Sequence, residues 1–265
     1  MKFYLNIFIC LLLSSYLYSQ DTLGLITPDR PGFGDAVFIT PKKYILVETG
    51  FWIENQKEVG FVSQNNRGIG LNSTLFRYGV SKKMELRFDY SLWQEKSNNE
   101  VFTTGFQPAR VGFKYALLEN KGAIPALTII GRTGFPFTTS KVFRTKSLNP
   151  TIELSFANPL TDWLTVCYNL GAEWDGENKN PNYYYALSLE MALSNKFGSY
   201  IQGHGDSQKM DLPGDSNQLN QSFVEGGIVY YPKNNMQFDI SSGSSVGTAN
   251  TYSFLTLGFC LRLPN

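Results

Sequence analysis

From about residue 43 onward, apolar and polar side chains alternate with a period of two, and no stretch carries a convincing 3.6-residue period. Met84, Leu86, Phe88, Tyr90 and Leu92 alternate with Glu85, Arg87, Asp89 and Ser91. Leu164, Val166, Tyr168 and Leu170 alternate with Thr165, Cys167, Asn169 and Gly171, and Tyr183, Tyr185, Leu187, Leu189 and Met191 with Tyr184, Ala186, Ser188, Glu190 and Ala192. Successive side chains of a strand point to opposite faces, so each run reads as a strand with one apolar and one polar face. The pattern predicts twelve strands, over residues 43–54, 68–80, 84–94, 108–118, 124–135, 149–157, 162–174, 182–194, 197–206, 220–231, 235–243 and 251–263. After every second strand stands a short turn (Ser81–Lys83, Glu119–Ala123, Asn158–Thr161, Asn195-Lys196, Pro232–Asn234). The others end mostly in longer polar loops such as Asn55–Arg67, Pro136–Leu148 and Ser207–Leu219. No internal repeat or linker divides the chain from residue 43 to its end.

An even number of strands of about ten residues, joined alternately by short turns and long loops, is the layout of a transmembrane antiparallel β-barrel. A secreted soluble β-sandwich or closed barrel also alternates. Three features favour the membrane. The polar face is rich in Gly, Ser, Thr and Asn and poor in Lys, unlike a sheet face turned to water. Aromatics stand near many strand ends (Tyr44, Trp52, Tyr78, Trp93, Tyr115, Trp163, Trp174, Tyr183, Tyr230, Tyr231), where an interfacial girdle would place them. Only 17% of the 265 residues are charged and 15% are aromatic, against about 25% charged in an ordinary soluble protein.

The N-terminus bears on the compartment. Lys2 precedes an apolar stretch, Phe3 to Leu13, and a polar end at Ser14–Gln20, which predicts a cleaved signal peptide over residues 1–20. Its removal takes one Lys from 23 bases and leaves 22 against 22 acids, so the mature chain is expected to be neutral. That balance offers no basic surface for nucleic acid. Cys167 and Cys260 remain, as either one disulfide or two thiols.

If the apolar parity faces lipid, the other lines the interior. It carries Glu48, Arg77, Glu85, Arg87, Asp89, Arg110, Lys114, Arg132, Glu153, Glu173, Glu190, Glu225, Asp239 and Arg262, six bases and eight acids. Charges enclosed in a narrow lumen are costly unless paired. In the second hairpin a three-residue loop would set Val80 opposite Met84 and Arg77 opposite Arg87, with Glu85 and Asp89 on the diagonals to relieve the repulsion. The charges read either as a passage that selects a solute or as a salt-bridged interior that conducts nothing.

Residues 21–42 hold Asp29, Arg30 and Pro31 within Thr27–Asp35, among two prolines and two glycines, a composition unsuited to a central strand or a helix. They predict either a loose periplasmic leader or a plug folded into the barrel mouth. Catalytic patterns are scarce. The one histidine, His204, shares the interior parity with Gln202 and Asp206, while Ser207 falls on the other face, so a Ser–His pair is not formed. Phosphate loops, CxxC pairs and calcium loops are missing from the sequence, and no enzyme activity, cofactor or metal is expected.

Several segments carry a family resemblance: Asp29-Arg30-Pro31-Gly32, Ile45–Gly50, Leu75–Val80, Glu85–Arg87, Gly112–Tyr115, Gly227–Tyr231 and Gln237–Gly243. In this order they resemble the meta-pathway phenol-degradation family of outer-membrane proteins, often simply called transporters. The resemblance spans nearly all of the chain after residue 20. It implies an outer-membrane β-barrel that passes small, hydrophobic or aromatic compounds. Gln202 stands where the resemblance leads one to expect an acid. The chain is therefore expected to be all-β: a barrel of about twelve strands at residues 43–265, touching outer-membrane lipid and a small-molecule solute. The competing readings are a non-conducting structural barrel and a secreted soluble β-protein.

Overall fold

The computed structural model describes residues 23–58, 64–98, 101–209, 218–247 and 251–264; the expected signal peptide at 1–20 lies outside them. Thirteen strands form one sheet: β1 (Tyr44–Glu58), β2 (Gln64–Gly79), β3 (Met84–Ser97), β4 (Thr103–Phe106), β5 (Arg110–Leu118), β6 (Ala126–Gly134), β7 (Asn149–Pro159), β8 (Leu164–Glu173), β9 (Asn182–Ala192), β10 (Phe197–Lys209), β11 (Gln218–Lys233), β12 (Met236–Ser245) and β13 (Thr251–Pro264). β4 and β5 both lie against β3, with Leu92 opposite Phe106 and Asp89 opposite Arg110, so they are two pieces of one stave. The barrel therefore has twelve staves. Each is antiparallel to its neighbours, and β1 pairs with β13 from Tyr44 opposite Pro264 to Lys57 opposite Thr251. Closure satisfies the backbone groups of every stave and leaves no sheet edge, the condition a strand structure must meet in hydrocarbon.

Parity separates the two faces. On β3, Glu85, Arg87 and Asp89 are buried, while Leu86 and Phe88 are close to half exposed. Outward-facing Phe113, Ile152, Leu187, Ile201, Ile228, Ile240 and Leu257 carry the same apolar exposure around the barrel. A soluble monomer rarely exposes an apolar belt of that extent, and this overturns the reading of a secreted soluble protein. Cys167 and Cys260 are both free thiols.

The structure departs from the sequence expectations in three places. The loop expected at 55–67 is largely strand: Asn55 faces Arg67 and Lys57 faces Asn65. Likewise β10 continues to Lys209 and β11 starts at Gln218. These extensions carry polar residues on both faces, so hydropathy alternation does not reveal them. β4 was not anticipated for the same reason. Third, four of the aromatics assigned to the girdle, Tyr44, Trp52, Trp93 and Tyr231, stand on inward-facing parities. Trp52 shares the Glu48 parity of β1 and stacks on Phe254 at 4.6 Å, and Tyr231 packs on the buried cluster of Ile26, Leu46 and Cys260. Trp163 and Tyr183 are outward and exposed.

An outward position in the apolar belt should not tolerate charge. Phe113→Arg is expected to destabilise the barrel by about 2–4 kcal/mol relative to Phe113→Leu, read from urea unfolding in lipid vesicles.

Candidate functional site

The short turns between strands all lie at one end of the barrel and the long hairpins at the other; in outer-membrane barrels the short-turn end faces the periplasm. The leader, residues 23–43, enters and leaves by that end. Ile26 N–H donates to the Asn234 carbonyl in the turn between β11 and β12 (2.7 Å), and Arg262 donates to the Gly24 carbonyl (2.7 Å). The segment rises to an apex at Gly32–Phe33 and returns, ending with Lys43 N–H on the Gly79 carbonyl (2.8 Å). Gly32 has φ of 115°, a conformation suited to glycine, and there the chain reverses.

A single non-helical segment inside a closed sheet has no ladder partner, yet its backbone polar groups must be satisfied. Side chains of the wall do this. Glu48 accepts from the N–H groups of Asp29 (3.0 and 3.1 Å) and Arg30 (3.1 Å). Gln202 and Glu225 accept from Phe33 N–H (2.8 and 3.1 Å), Glu153 from Asp35 N–H (3.0 Å) and Glu85 from Thr40 N–H (2.7 Å). In return Arg77, Lys114, Thr128, Ser155, Asn169 and Gln237 donate to leader carbonyls. Tyr184 on β9 meets the Phe33 ring edge-on, and Thr256 on β13 accepts from Arg30. Every one of the twelve staves thus touches the leader.

The charges are arranged by sign. Asp29 is ion-paired with Arg77 (3.2 Å), Arg87 (2.7 Å) and Lys114 (2.6 Å), from β2, β3 and β5. Arg77 is also bound by Glu48 and Glu85, both at 2.8 Å. Asp35 takes Arg87 (3.1 Å) and Arg132 (3.4 Å), and Glu153 also reaches Arg132 (3.5 Å). On the other side of the lumen Arg30 pairs with Asp239 of β12 at 3.0 Å. One arc of the wall is rich in bases and receives the two leader acids; the facing arc presents acids and receives the leader base. Burial alone would raise the Asp29 carboxyl, but Arg77, Lys114 and Arg87 outweigh it and hold the group well below the ordinary 3.8.

Glu48, Arg77, Glu85, Arg87, Lys114, Arg132 and Asp239 are brought together around the leader, with Asp29 and Arg30 at the centre. Pro31 lines the cavities on both sides of the apex. Arg110 and Asp89 form a separate pair at 2.7 Å, and Glu190 lines a cavity beside Cys167. Arg77 does stand opposite Arg87, but the expected role of Asp89 is corrected. It faces Arg110 across β5, and the acids that relieve the two arginines are Glu85 and the leader's own Asp29. Sequence reading did not single out Phe33, Tyr184, Phe223, Phe254, Gln237 or Thr256. Gln237 and Thr256 share a parity with charged neighbours, which was the available signal.

The leader divides the lumen into two chambers. The inner one, about 250 Å³, lies between the leader and the periplasmic halves of β8 to β12. The outer one, about 500 Å³, lies beyond the apex among Trp52, His204, Phe223, Tyr252 and Phe254. His204 is stacked between Phe33 and Phe223.

The family described as "Putative MetA-pathway of phenol degradation" matches residues 28–263, a span that includes most of the leader. No curated protein sequence matches the chain. Among solved structures, an outer membrane channel from Pseudomonas putida F1 is similar with a TM-score of 0.70 at 11% identity, covering 88% of this chain and 100% of its own. The translocator domain of the autotransporter NalP from Neisseria meningitidis gives a TM-score of 0.57 at 12% identity, covering 88% and 90%. The transport unit of the autotransporter AIDA-I from Escherichia coli gives 0.52 at 10%, covering 95% and 96%. At such identities the likeness is one of fold.

Removing a central partner should be costly. Arg77→Met leaves Asp29, Glu48 and Glu85 short of a cation and is expected to destabilise the protein by about 3–5 kcal/mol in urea unfolding. The Asp29 carboxyl is lower in the seated leader than in a free chain. Its contribution is therefore complete above the ordinary value and is lost only as pH falls through the lowered one. Hydrogen-exchange protection of the 29–36 amides should be weaker in Asp29→Asn than in the native chain at neutral pH, and the difference should persist down to about pH 4.

Proposed function

The chain belongs to the MetA-pathway phenol-degradation family, and from that premise we propose that it is an outer-membrane channel for a small hydrophobic or aromatic solute, closed by its own leader. Its apolar belt sits in outer-membrane lipid, and no catalytic step is involved. One observation carries the reading: the lumen charges are spent on a segment that enters and leaves by the same end. A barrel whose interior served only to brace the wall would pair its charges with each other, as Arg110 and Asp89 do. Here wall pairs such as Arg77 with Glu48 and Glu85 are present too, but both opposed arcs also pair with Asp29, Asp35 and Arg30 of the leader. A looped segment tethered at residue 43 can be withdrawn toward the periplasm without breaking any stave-to-stave ladder.

The contacts that hold the leader also suit a gate. They are ion pairs and hydrogen bonds, groups that water can solvate when the leader moves out. The apolar parts of its seat are two: Ile26 with Leu46 and Cys260 at the short-turn end, and the Phe33 ring against His204 and Tyr184 at the apex. With the leader out, the two chambers merge along one wall of mixed charge.

The test is conductance in planar bilayers together with liposome swelling, on the native chain and on a variant lacking residues 23–40. Deletion should raise the open conductance several-fold, with Asp29→Asn intermediate. A leader-free barrel that passes neither ions nor solutes would instead be a structural protein of the envelope, and the channel reading would fail.

A further inference from the structure

The outer chamber contains a run of rings that gating does not need. Phe33, at the leader apex, stacks on His204 with centroids 4.4 Å apart and planes 6° apart, and His204 stacks on Phe223 at 4.8 Å. Phe223 meets Tyr252 edge-on at 5.4 Å. Tyr252 adjoins Phe254 at 6.0 Å, and Phe254 stacks on Trp52 at 4.6 Å. These six rings come from the leader and from β10, β11, β13 and β1, so the rows have been assembled by the fold rather than by neighbours in sequence. They stand on the parity that elsewhere carries polar groups. In a wall meant only to hold water or ions, aromatic side chains there would have no purpose. Their sum is an apolar lining with a few polar atoms, the make-up of a small-molecule pocket.

The volume fits a small ring. A cavity of about 150 Å³ accepts benzene, and this one measures about 500 Å³, room for a substituted single ring and some water. The polar atoms narrow the choice. The charge of Arg30 is met by Asp239. The other two charged groups of the chamber, Glu225 and Asp206, have no ion pair among the described residues. His204 is 7% exposed, and its Nε2 has no hydrogen-bond partner. Among the described lining residues a carboxylate finds no cation other than the paired Arg30, whereas a donor finds acceptors.

We propose that the outer chamber is a binding site for an uncharged or cationic aromatic compound bearing a hydrogen-bond-donating group, such as an aryl hydroxyl or aryl amine. Its ring lies along the Trp52–Phe254 and His204–Phe223 rows, and its donor faces Glu225, Asp206 and His204. The proposal rests on the channel reading in treating this chamber as the first station of the solute, but binding can be measured without transport. Aryl carboxylates would bury a charge with no free cation among the described lining residues, and saturated rings lose the stacking.

The experiment is a fluorine NMR titration of the full-length protein in detergent micelles with para-fluorophenol, para-fluorobenzoate and a difluorocyclohexanol. Saturable binding is expected for the phenol, with the benzoate and the cyclohexanol weaker by about tenfold. Trp52→Leu and Phe223→Leu should each weaken phenol binding by a similar factor. His204→Phe keeps the stack and should narrow the gap in affinity between para-fluorophenol and fluorobenzene. Folding of each variant is checked by heat-shifted migration in SDS gels, and the three-ligand comparison on the native protein stands if a variant does not fold. The proposal is overturned if the native protein shows no saturable phenol binding, if the benzoate or the cyclohexanol binds as well, or if both leucine variants bind like the native chain. Solute passage in liposomes without binding would sink the site and leave the channel. Binding without passage would do the reverse.

Discussion

The organisation of the lumen depends on one carboxylate, that of Asp29, placed among Arg77, Arg87 and Lys114. Strand register forces the two arginines to face each other, an arrangement that repels in a medium of low dielectric. Glu85 bonds to both and relieves part of this. The remainder is met by a residue that is not part of the wall. The barrel is therefore built with a vacancy of charge that its leader fills, and the leader is ordered because that vacancy exists. Neither half is electrostatically satisfied alone.

The opposite arc repeats the logic with signs reversed. Asp239 and Glu225 face inward from β12 and β11, and they receive the Arg30 guanidinium and the Phe33 amide. Adjacent residues of opposite charge, Asp29 and Arg30, thus reach opposite walls. Close approach is part of the fit: a Cβ added at Gly50 would come within 2.6 Å of the Arg30 Cζ, so β1 carries glycine where the guanidinium lies against it. Such buried pairs add little net stability once desolvation is counted, but they specify one position for a segment that has no ladder of its own.

Placing the leader across the middle also creates the two chambers. Below it the lining is mixed, with Glu190, Cys167 and Tyr231; above it are the stacked rings of β1, β10, β11 and β13. Phe33 belongs to both roles, since its amide is held by Gln202 and Glu225 while its ring stacks on His204. The seat of the leader and the lining of the outer chamber thus share one residue.

The strand count, the two faces and the outer-membrane class were legible in the alternation itself. A period of two survives wherever one face meets an apolar medium, and Leu86 and Phe88 against Glu85 and Arg87 display it plainly. The hairpin extensions at Asn55–Glu58 and Gln64–Arg67 were not legible, because there both faces are polar and alternation carries no signal. Nor was the inward turn of Trp52 or the chamber formed with Phe254 and Phe223, since these rings are far apart in sequence and meet only when β1, β11 and β13 close the barrel. The chain by itself determined which residues share an interior, because side-chain direction follows parity. Which of them bind each other, and that Asp29 and Arg30 stand between them, was decided only by the tertiary structure, because ion pairs depend on distances across the lumen and those are set by closure and register.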